Sequence, residues 1–437
     1  MVRRLYGSQA NFETYFADFL SIKREESTGV SRDVHAIITD VSERGDQALF
    51  DYSQKFDQYR LESEKLAVSE EDIHDAVTIC TPETIEALQF ASKRIQTYHE
   101  RQKPDNNRYN DELNVSFECR WTAIQSAGLY VPGGSASYPS SVLMNAIPAK
   151  VAGVKRLVMV VPTPKGQLNP LVLAAAQIVG INEIYRVGGA HAVAALAYGT
   201  ETIKPVVKIF GPGNSYVAEA KRQVFGICGI DSIAGPSEIL VIADSDNDPS
   251  WIAADLLAQA EHDTTAQSVL ITDSISFADK VEIAVNQQLK DLPRYEIAAE
   301  SWLRFGAIIT LTSLDQAPRL ANQIAAEHLE ILTSNSNEIA AQITNAGAIF
   351  LGRYTPEVIG DYVAGSNHVL PTLRSARFSS GLGVTDFMKR TSLLKLTPDA
   401  ISSLAPHAIT LARAEGLEAH CKSAELRLLE LSKKKLT

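Results

Sequence analysis

The sequence predicts an α/β protein built from two tandem series of parallel strands and helices, with shorter helical segments at both ends of the chain. Three observations support this fold class. Continuously apolar runs alternate with Ala-rich stretches between residues 156 and 352, Gly-rich turns follow several of those runs, and apolar residues have helical spacing near both ends. Apolar strands separated by helices are typical of a parallel sheet that helices cover on both faces.

The first 110 residues are predicted to be helical. Ser69 precedes three acidic residues and Thr81 precedes Pro82, and both arrangements are typical of the start of a helix. In the run 83-ETIEALQFASKRIQTYHERQ-102 the apolar residues recur at helical intervals. Beyond it, the alternation in 113-LNVSFECRWTAI-124 predicts a strand.

The two α/β series follow in order. The first consists of 156-RLVMVVP-162, 171-LVLAAAQIVG-180, 183-EIYRVGG-189, 192-AVAALAYG-199, 206-VVKIFGPG-213, 215-SYVAEAKRQVFG-226 and 238-EILVIAD-244. The second consists of 251-WIAADLLAQAEHD-263, 268-SVLITD-273, 276-SFADKVEIAVNQQL-289, 307-AIITL-311, 318-PRLANQIAAEHLEILT-333 and 348-AIFLG-352. The chain then returns to helix, ending in the amphipathic segment 417-LEAHCKSAELRLLELSKK-434.

The composition is that of a globular protein with large cores, since 45% of the residues are hydrophobic and 21% are charged. The net charge of −11 argues against nucleic acid as a partner, which requires a clustered basic surface. No apolar run approaches the roughly 20 residues that cross a bilayer, and the N-terminus lacks the apolar core of a signal peptide. The four cysteines lie far apart without CxxC spacing, so we expect reduced thiols, a cytoplasmic location and no membrane partner.

Three Gly-rich turns follow predicted strands: 132-PGGSAS-137, 188-GGAHA-192 and 211-GPGN-214. Glycine lets the backbone approach a ligand, and the N-terminus of a following helix favours an anionic group. None of the turns matches the dinucleotide pattern GxGxxG, and the chain has no GxxxxGK[ST]. A nucleotide site and ordinary tight turns of an α/β sheet are both consistent with these segments.

The segment 256-LLAQAEHDTTAQ-267 places Gln259 and His262 three residues apart in an Ala-rich run. On a continuous helix this spacing brings both side chains to one face. Imidazole is a good zinc ligand, whereas a glutamine amide oxygen is a weak one. The pair is therefore half of a metal site or, alternatively, two polar positions near the end of a helix.

Glu327 and His328 stand where helical spacing passes into a strand-like apolar run. At such a junction adjacent side chains can converge, and a Glu beside a His is a candidate base or proton relay. The alternative is a solvated helix end.

More polar residues gather towards the C-terminus. Asp361 and His368 lie in 361-DYVAGSNHVLP-371, a Gly-containing loop of the kind where site residues collect. Glu415 and His420 share a face only if Gly416 breaks the helix, and otherwise they would serve a site from different directions. Two histidines and a carboxylate without thiolates favour an open zinc site that binds substrate.

Several long motifs resemble those of the histidinol dehydrogenase family. They are, in the family's order, 230-IDSIAGPSEILVIAD-244, 258-AQAEHDTTAQSVLIT-272, 327-EHLEIL-332, 348-AIFLGRYTPEVIGDYVAGSNHVLPT-372 and 377-RFSSGLGVTDFMKR-390. The resemblance extends from about residue 25 to beyond His420, nearly the whole chain. It implies an enzyme that oxidises L-histidinol to L-histidine in histidine biosynthesis, through an aldehyde held on the enzyme. One Zn²⁺ per subunit and two molecules of NAD⁺ would be required.

The resemblance also implies roles for individual residues. The metal ligands would be Gln259, His262, Asp361 and His420, the last from the partner subunit of a domain-swapped homodimer with shared active sites. The proton-transfer residues would be Glu327 and His328. Substrate contacts would come from Ser237, Gln259, His262, His328, Asp361, His368, Glu415 and His420. NAD would contact Tyr130, His191 and Asn214.

Two residues depart from the family pattern. His191 replaces a glutamine of the NAD site, and an imidazole has a shorter reach and a different geometry. Ser366 stands where the family has Pro or Thr before Asn367 and His368. We expect the first change to alter one cofactor contact rather than the activity.

The same resemblance divides the chain into four parts. A helical segment would span 1–24, and the main α/β domain would combine 25–129 with 238–382. Residues 130–237 would form the second α/β domain and contribute to NAD binding, and 383–437 would form a helical domain that reaches the partner subunit. Both α/β domains would be incomplete Rossmann-like folds with parallel-rich sheets.

The implied chemistry suits the residue types. Oxidation of an alcohol to an acid requires two hydride transfers and a base with a pKa near neutrality, a role for which His328 is suited. Glu327 would deprotonate the water that adds to the aldehyde. Zinc would mainly orient the imidazole and amine of histidinol.

Three other functions are consistent with parts of the pattern. The first is an NAD-dependent dehydrogenase of the same family acting on another small alcohol, such as a sulfonated diol. A zinc hydrolase would need no NAD, and a non-catalytic scaffold would bind zinc without forming NADH. Histidinol is favoured because the chain retains the residues of the family's amino-alcohol site, namely Glu327, His328, His368 and Glu415.

Overall fold

The computed structural model describes residues 2–22, 29–133 and 138–434. Residues 134–137 of the first Gly-rich turn and the predicted boundary between residues 24 and 25 lie outside the described residues. No helix in the described ranges is both long enough and apolar enough to cross a membrane.

The chain forms two compact units, each assembled from segments that are distant in sequence. The first unit contains Met1–Gln102 and Ile124–Phe387. The second contains Lys103–Ala123 and Met388–Thr437.

The structure contains fourteen strands among the described residues. In chain order they are β1 (Arg3–Tyr6), β2 (Asn107–Asn110), β3 (Ser116–Ala123), β4 (Ser126–Tyr130), β5 (Arg156–Val160), β6 (Glu183–Tyr185), β7 (Lys208–Phe210), β8 (Gly229–Ile230), β9 (Glu238–Ala243), β10 (Gln267–Thr272), β11 (Ala307–Thr310), β12 (His328–Leu332), β13 (Ala348–Leu351) and β14 (Met388–Lys395).

Eighteen α-helices accompany them in the described ranges. They are α1 (Phe12–Leu20), α2 (Val30–Arg44), α3 (Asp46–Tyr52), α4 (Ser63–Leu66), α5 (Glu70–Ile79), α6 (Pro82–Glu100), α7 (Pro139–Ala152), α8 (Pro170–Ile178), α9 (Gly189–Tyr198), α10 (Ser215–Val224), α11 (Pro249–Ala260), α12 (Ile275–Gln288), α13 (Tyr295–Phe305), α14 (Ala317–Ile324), α15 (Ser336–Ala340), α16 (Glu357–Ile359), α17 (Pro398–Ala414) and α18 (Glu418–Lys434). Two π-helical segments occupy Ser53–Asp57 and Gly360–Ala364.

Two parallel sheets form the first unit. The six-stranded sheet has the order β1-β11-β10-β9-β12-β13, and the five-stranded sheet has the order β6-β5-β4-β7-β8. Neighbouring strands are parallel throughout both sheets. The predicted α/β fold with parallel-rich sheets is confirmed.

The central strand β9 shows why these runs are apolar on both faces. Ile239, Val241 and Ala243 pack into one hydrophobic cluster with α11, α12 and α13. Leu240 and Ile242 point to the opposite face and pack into a second cluster with α1 and α14. Alternate residues of a strand face opposite sides, so a sheet covered on both faces buries every position. Full burial of such a side chain contributes about 1.5–3 kcal/mol.

The second unit has a different architecture. Its sheet has the order β14-β3-β2, and both pairs are antiparallel. The strand predicted in 113–124 is confirmed as β3, and its partner β14 comes from a distant part of the chain. Helices α17 and α18 follow, and α17 begins with Thr397 as its N-cap and Pro398 in its first turn.

The N-terminal segment is not wholly helical as its pattern predicts. β1 lies at the edge of the six-stranded sheet and pairs with β11, and β2 forms an edge of the sheet in the second unit. Each of these strands has four residues. Such a short strand offers only two positions on each face, which is too few to show an alternating pattern.

Candidate active site

The first unit contains a cleft of about 550 Å³ at which two sets of strand ends meet. The five-stranded sheet contributes the carboxyl ends of β4 and β7, through Tyr130 and Gly211. The six-stranded sheet contributes the amino ends of β9 and β12, through Ser237 and His328. Further lining residues include Ser141, Asn214, His262, Glu327, Asp361 and His368.

Glu327 and His328 lie at the junction between a helix and a strand, as predicted. Helix α14 ends at Ile324, Ala325 takes a left-handed conformation with φ of 50°, and His328 begins β12. Both side chains line the cleft, although only 6% and 3% of the two residues are exposed. The backbone N–H of Glu238 donates to Oε2 of Glu327 at 3.0 Å. The structure therefore excludes a solvated helix end.

Three carboxylates surround the imidazole of His328. Its Nδ1 lies 3.4 Å from Glu357 Oε1 and 3.8 Å from Glu327 Oε2, and its Nε2 lies 3.3 Å from Asp361 Oδ1. Burial by itself lowers the pKa of His328, but the charges of Glu357, Glu327 and Asp361 outweigh it and raise the pKa to about 10. This surrounding favours a proton on the imidazole.

Asp361 lies in the π-helical segment, and His368 packs directly against it. The backbone carbonyl of Asp361 is 3.0 Å from Nδ1 of His368, and the hydroxyl oxygen of Ser141 is 3.3 Å from Nε2. Burial raises the pKa of the Asp361 carboxyl, but the hydrogen bond from His328 and the charges of the nearby histidines lower it overall. Asp361 is therefore held as a carboxylate.

Gln259 and His262 stand at the end of α11 rather than on one continuous helix, because α11 ends at Ala260. The continuous helix on which the two side chains were expected to share a face is therefore absent. His262 lies in the following turn, where its N–H donates to the Gln259 carbonyl at 3.2 Å. Burial lowers the pKa of His262, an effect that the Asp361 carboxylate opposes. A neutral imidazole is the form that binds a metal.

Gln259 is completely buried, and neither atom of its side-chain amide has a hydrogen-bond partner among the described residues. A buried amide without a partner is costly, so such a group indicates a role that the protein alone does not satisfy. Together with the imidazole of His262 and the carboxylate of Asp361, it offers oxygen and nitrogen donors suited to Zn²⁺. These residues fit a mixed-ligand metal site.

A second set of donor atoms lies around Asp361. Those of His328, Glu357 and Asp361 are within 4.8 Å of one another. The imidazole of His328 lies between two of these carboxylates, with Nδ1 facing Glu357 and Nε2 facing Asp361, so the set also forms an ion-pair cluster beside Asp361.

The three predicted NAD contacts lie in different surroundings. Tyr130 and Asn214 line the cleft, and the Tyr130 hydroxyl oxygen accepts a hydrogen bond from the Gly189 N–H at 3.0 Å. The Oδ1 of Asn214 caps α10 by accepting from two backbone N–H groups. His191, in contrast, is buried in α9 beside Tyr52 and does not line the cleft.

The turn after β7 requires glycine. Gly211 has φ of 109°, and a Cβ at this position would lie 2.2 Å from the carbonyl oxygen of Tyr130. No other residue fits, because a side chain would collide with backbone. Close approach of β4 and β7 at the cleft therefore depends on this residue.

Glu415 and His420 belong to the second unit, and both are exposed. Helix α17 ends at Ala414 and α18 begins at Glu418, and Gly416 between them has φ of 73°. The helix is therefore broken at Gly416, which is the condition for the two side chains to share a face.

The sequence pattern did not identify Glu357, Ser141 and Glu238 as neighbours of the site. Pro356 followed by Glu357 resembles an ordinary helix start, and Glu238 begins an apolar strand run. Ser141 lies in an apolar helix without any recognisable motif. For Glu238 and Glu357, the signal available in the sequence was a charged residue beside an otherwise apolar run.

Comparison with known proteins identifies relatives that match nearly the whole chain. The sequence model described as "Histidinol dehydrogenase" matches residues 20–428. Histidinol dehydrogenases of Mesorhizobium japonicum and Rhizobium meliloti are each 61% identical over 98% of this chain, and the alignments cover 100% and 99% of those proteins. The crystal structure of histidinol dehydrogenase from Elizabethkingia anophelis has a TM-score of 0.94 and 35% identity, covering 99% of both chains.

These relatives span the chain almost from end to end, and the cleft residues described above lie within the matched range. The chain belongs to the histidinol dehydrogenase family.

Proposed function

We propose that this chain is a cytoplasmic enzyme of histidine biosynthesis that oxidises L-histidinol to L-histidine, using zinc and two molecules of NAD⁺. The observation that carries the proposal is the convergence of Glu327 and His328 with Asp361 and His262 in one cleft. This combination supplies proton-transfer groups beside metal-ligand types, and it occurs in a chain of the histidinol dehydrogenase family.

Gln259, His262 and Asp361 would hold the metal, and His420 would complete the set. Zinc, when bound, would orient the imidazole and amine nitrogens of the substrate and polarise its hydroxyl group. The unpartnered amide of Gln259 supports this assignment. Ser237 and His368 line the same cleft and would contact the substrate.

His328 would accept the hydroxyl proton in each oxidation, and Glu327 would deprotonate the water that adds to the aldehyde. The raised pKa of His328 depends in part on Asp361, so positive charge brought to Asp361 shifts that pKa back towards the neutral range. Glu327 is suited to its role because the N–H of Glu238 holds its carboxylate at the cleft. The imidazole and the carboxylate would therefore act on different protons.

NAD would bind where the carboxyl ends of β4 and β7 reach the cleft, with contacts from Tyr130 and Asn214. In parallel α/β sheets, ligands bind at this end of the strands. His191 would act indirectly, by supporting the turn at Gly189. The backbone N–H of Gly189 donates to the Tyr130 hydroxyl, which lines the cleft. We assign 130–237 to a Rossmann-like, cofactor-binding domain on this basis.

The active enzyme would be a domain-swapped homodimer in which Glu415 and His420 act in the partner's site. Both residues are exposed in the second unit. Large apolar side chains of β13 and of the helical segments around Asp361 are also exposed: Ile349, Leu351, Val358, Ile359 and Tyr362. If they join into one patch, an interface would cover them. Contacts would then form between the main domain of one subunit, residues 25–129 and 238–382, and the C-terminal domain of the other, residues 383–437.

The test is an anaerobic assay of the purified protein with L-histidinol and NAD⁺. We expect two NADH for each histidine formed, loss of turnover after chelation, and recovery with added zinc. A panel of other small alcohols, including a sulfonated diol, serves as the substrate control. Faster turnover of another alcohol, or full activity after chelation, would refute the proposal.

A further inference from the structure

Glu330 is a completely buried carboxyl group in the middle of β12. In the described part of the chain it forms no ion pair with a lysine, an arginine or a histidine. An apolar residue would fill the same space without the cost of burying a carboxyl group. This position therefore requires an explanation beyond packing.

The Glu330 carboxyl has two polar neighbours. Its Oε1 accepts a hydrogen bond from the backbone N–H of Glu357 at 2.7 Å, and the Asp255 carboxyl is the other neighbour. Two carboxylates have no donor between them, so the second contact requires a shared proton. Burial, followed by the charge of Asp255, raises the pKa of Glu330 well above its usual range. Burial also raises the pKa of Asp255, to about 6, so the two carboxyl groups are placed to share one proton.

The bonded residues belong to three elements that carry the site. Asp255 precedes Gln259 by one turn of α11, so both lie on one side of that helix. His328 lies two residues before Glu330, on the same face of β12. Glu357 begins the segment that contains Asp361, and its own carboxylate lies 3.4 Å from Nδ1 of His328.

We propose that Glu330 is a positioning residue that ties α11, β12 and the segment Glu357–Asp361 together beneath the metal and acid–base site. The proposal rests on the proposed function for the roles of Gln259, His328 and Asp361. Directional contacts between buried polar groups specify the arrangement of the elements they join more narrowly than apolar contacts do. Residues that support metal ligands in this way typically change metal affinity about 10–100-fold when they are replaced.

The test compares Glu330→Gln with Glu330→Met. Glutamine is the neutral isostere, since its carbonyl accepts from the Glu357 N–H and its amide donates to Asp255. Methionine has a similar length but makes neither bond. We expect zinc affinity, measured by competition with a chelator, to fall at least about tenfold in the Met variant. It should stay within about threefold of the unmodified protein in the Gln variant, with kcat following the same order.

Hydrogen exchange at the Glu357 amide provides a reading that does not depend on zinc. This amide should be protected in the unmodified protein and in the Gln variant, and it should exchange faster in the Met variant. The control is Ile331→Val, a buried change on the same strand that points away from Glu330. It should lower Tm while leaving zinc affinity and Glu357 protection unchanged.

The outcomes distinguish the proposed metal site from the positioning role of Glu330. Failure of the unmodified protein to bind zinc would contradict the proposed metal site. Hydrogen exchange at the Glu357 amide would still test whether Glu330 holds the three elements together. Unchanged zinc affinity and protection in Glu330→Met would overturn the positioning role. Equal losses in both variants would also overturn it, because the acidic proton rather than the hydrogen-bonded tie would then matter. If the Met variant does not fold, Asp255→Asn and Asp255→Ala form the equivalent pair from α11.

Discussion

The imidazole of His191 lies beside the stacked rings of Tyr52 and Phe56, with ring centroids 5.6 and 6.1 Å away, and has no hydrogen-bond partner among the described residues. Burial lowers its pKa to about 3, whereas an unperturbed histidine has a value of about 6.5. Below about pH 6.5 the unfolded chain therefore binds a proton that the folded chain does not. The free energy of unfolding must fall as the pH decreases from about 6.5 towards 3.

We expect His191→Gln to reduce this loss. Between pH 7 and pH 5 the unmodified protein should lose about 2 kcal/mol more stability than the variant, because glutamine does not titrate. Urea unfolding at both pH values measures the difference. The exposed His35→Gln is the control, and it should lose as much stability as the unmodified protein. Identical pH dependence in all three proteins would contradict the assignment to His191.

The separate roles proposed for Glu327 and His328 predict different defects. His328→Asn should lower the rate of both oxidations by about 10²–10⁴-fold, because positioned acid–base groups contribute that much. Glu327→Gln should slow mainly the second oxidation, so that less than two NADH form for each histidinol consumed. Quenched-flow measurement of NADH, with the aldehyde supplied as an alternative substrate, separates the steps. Wild-type rates for both half-reactions in either variant would disprove its role.

The unpartnered amide of Gln259 predicts a conflict between stability and metal binding. Gln259→Met should raise the unfolding free energy of the zinc-free protein by about 1–3 kcal/mol, because a buried polar group without a partner is removed. The same change should weaken zinc binding, since a donor is lost. Thermal melts with and without zinc test both effects. A variant that is less stable without zinc would show that the amide has a partner in the folded protein.

At the scale of elements, a buried ion pair fixes the start of the loop after β7. The Lys221 ammonium is buried, donates to the Gly211 carbonyl at 2.9 Å and pairs with Asp231. Asp231 in turn accepts from the Gly211 N–H at 2.8 Å. Both backbone groups of Gly211 are therefore fixed, and the loop that ends in Asn214 starts from a defined position.

Removal of one member of this pair should be costly. Lys221→Met leaves the Asp231 carboxylate buried without its cation, and we expect the unfolding free energy to fall by about 3–5 kcal/mol. The Michaelis constant for NAD⁺ should also rise, because the loop loses its support. The double variant Lys221→Met with Asp231→Leu is the control, and it should recover much of the stability. A double variant as unstable as the single one would contradict this explanation.

The elements that the sequence predicted well are those with a local signal. Continuous apolar runs such as β9 and β10 predicted both the strands and their burial on two faces. The change from helical spacing to an apolar run predicted the junction at Glu327 and His328. The pairing of β3 with β14 left no such signal, because its partners lie far apart in the chain. The same reason explains why Glu330 and Glu357 were not connected with the site, since their contacts form only after three elements pack.

At the scale of the whole molecule, the proposed sharing of active sites between subunits makes a quantitative prediction. A subunit with His328→Asn and a subunit with His420→Ala would each be inactive alone. A mixed dimer would contain one site with both defects and one intact site. After random reassortment of equal amounts, half of the dimers are mixed, so we expect about a quarter of the unmodified activity.

Unfolding and refolding the two variants together, followed by an assay, provides the measurement. Each variant refolded alone is the control. No recovery in the mixture, combined with a dimer by sedimentation, would mean that His420 acts within its own subunit.

The two sheets present opposite strand ends to the cleft, and their helices consequently present opposite ends as well. Helices α7 and α10 of the five-stranded sheet begin at the cleft, near Ser141 and Asn214. Helices α11 and α14 of the six-stranded sheet end there, before His262 and Glu327. Helix starts carry partial positive charge and helix ends carry partial negative charge.

The cleft is therefore electrically polarised by its backbone alone. One wall attracts anions such as a pyrophosphate, and the opposite wall attracts cations such as a metal ion or an ammonium group. A ligand that carries both kinds of charge would be turned to one orientation before any side chain touches it. Because the two sheets present opposite strand ends to the cleft, the fold places positive potential on one side of a single cavity and negative potential on the other.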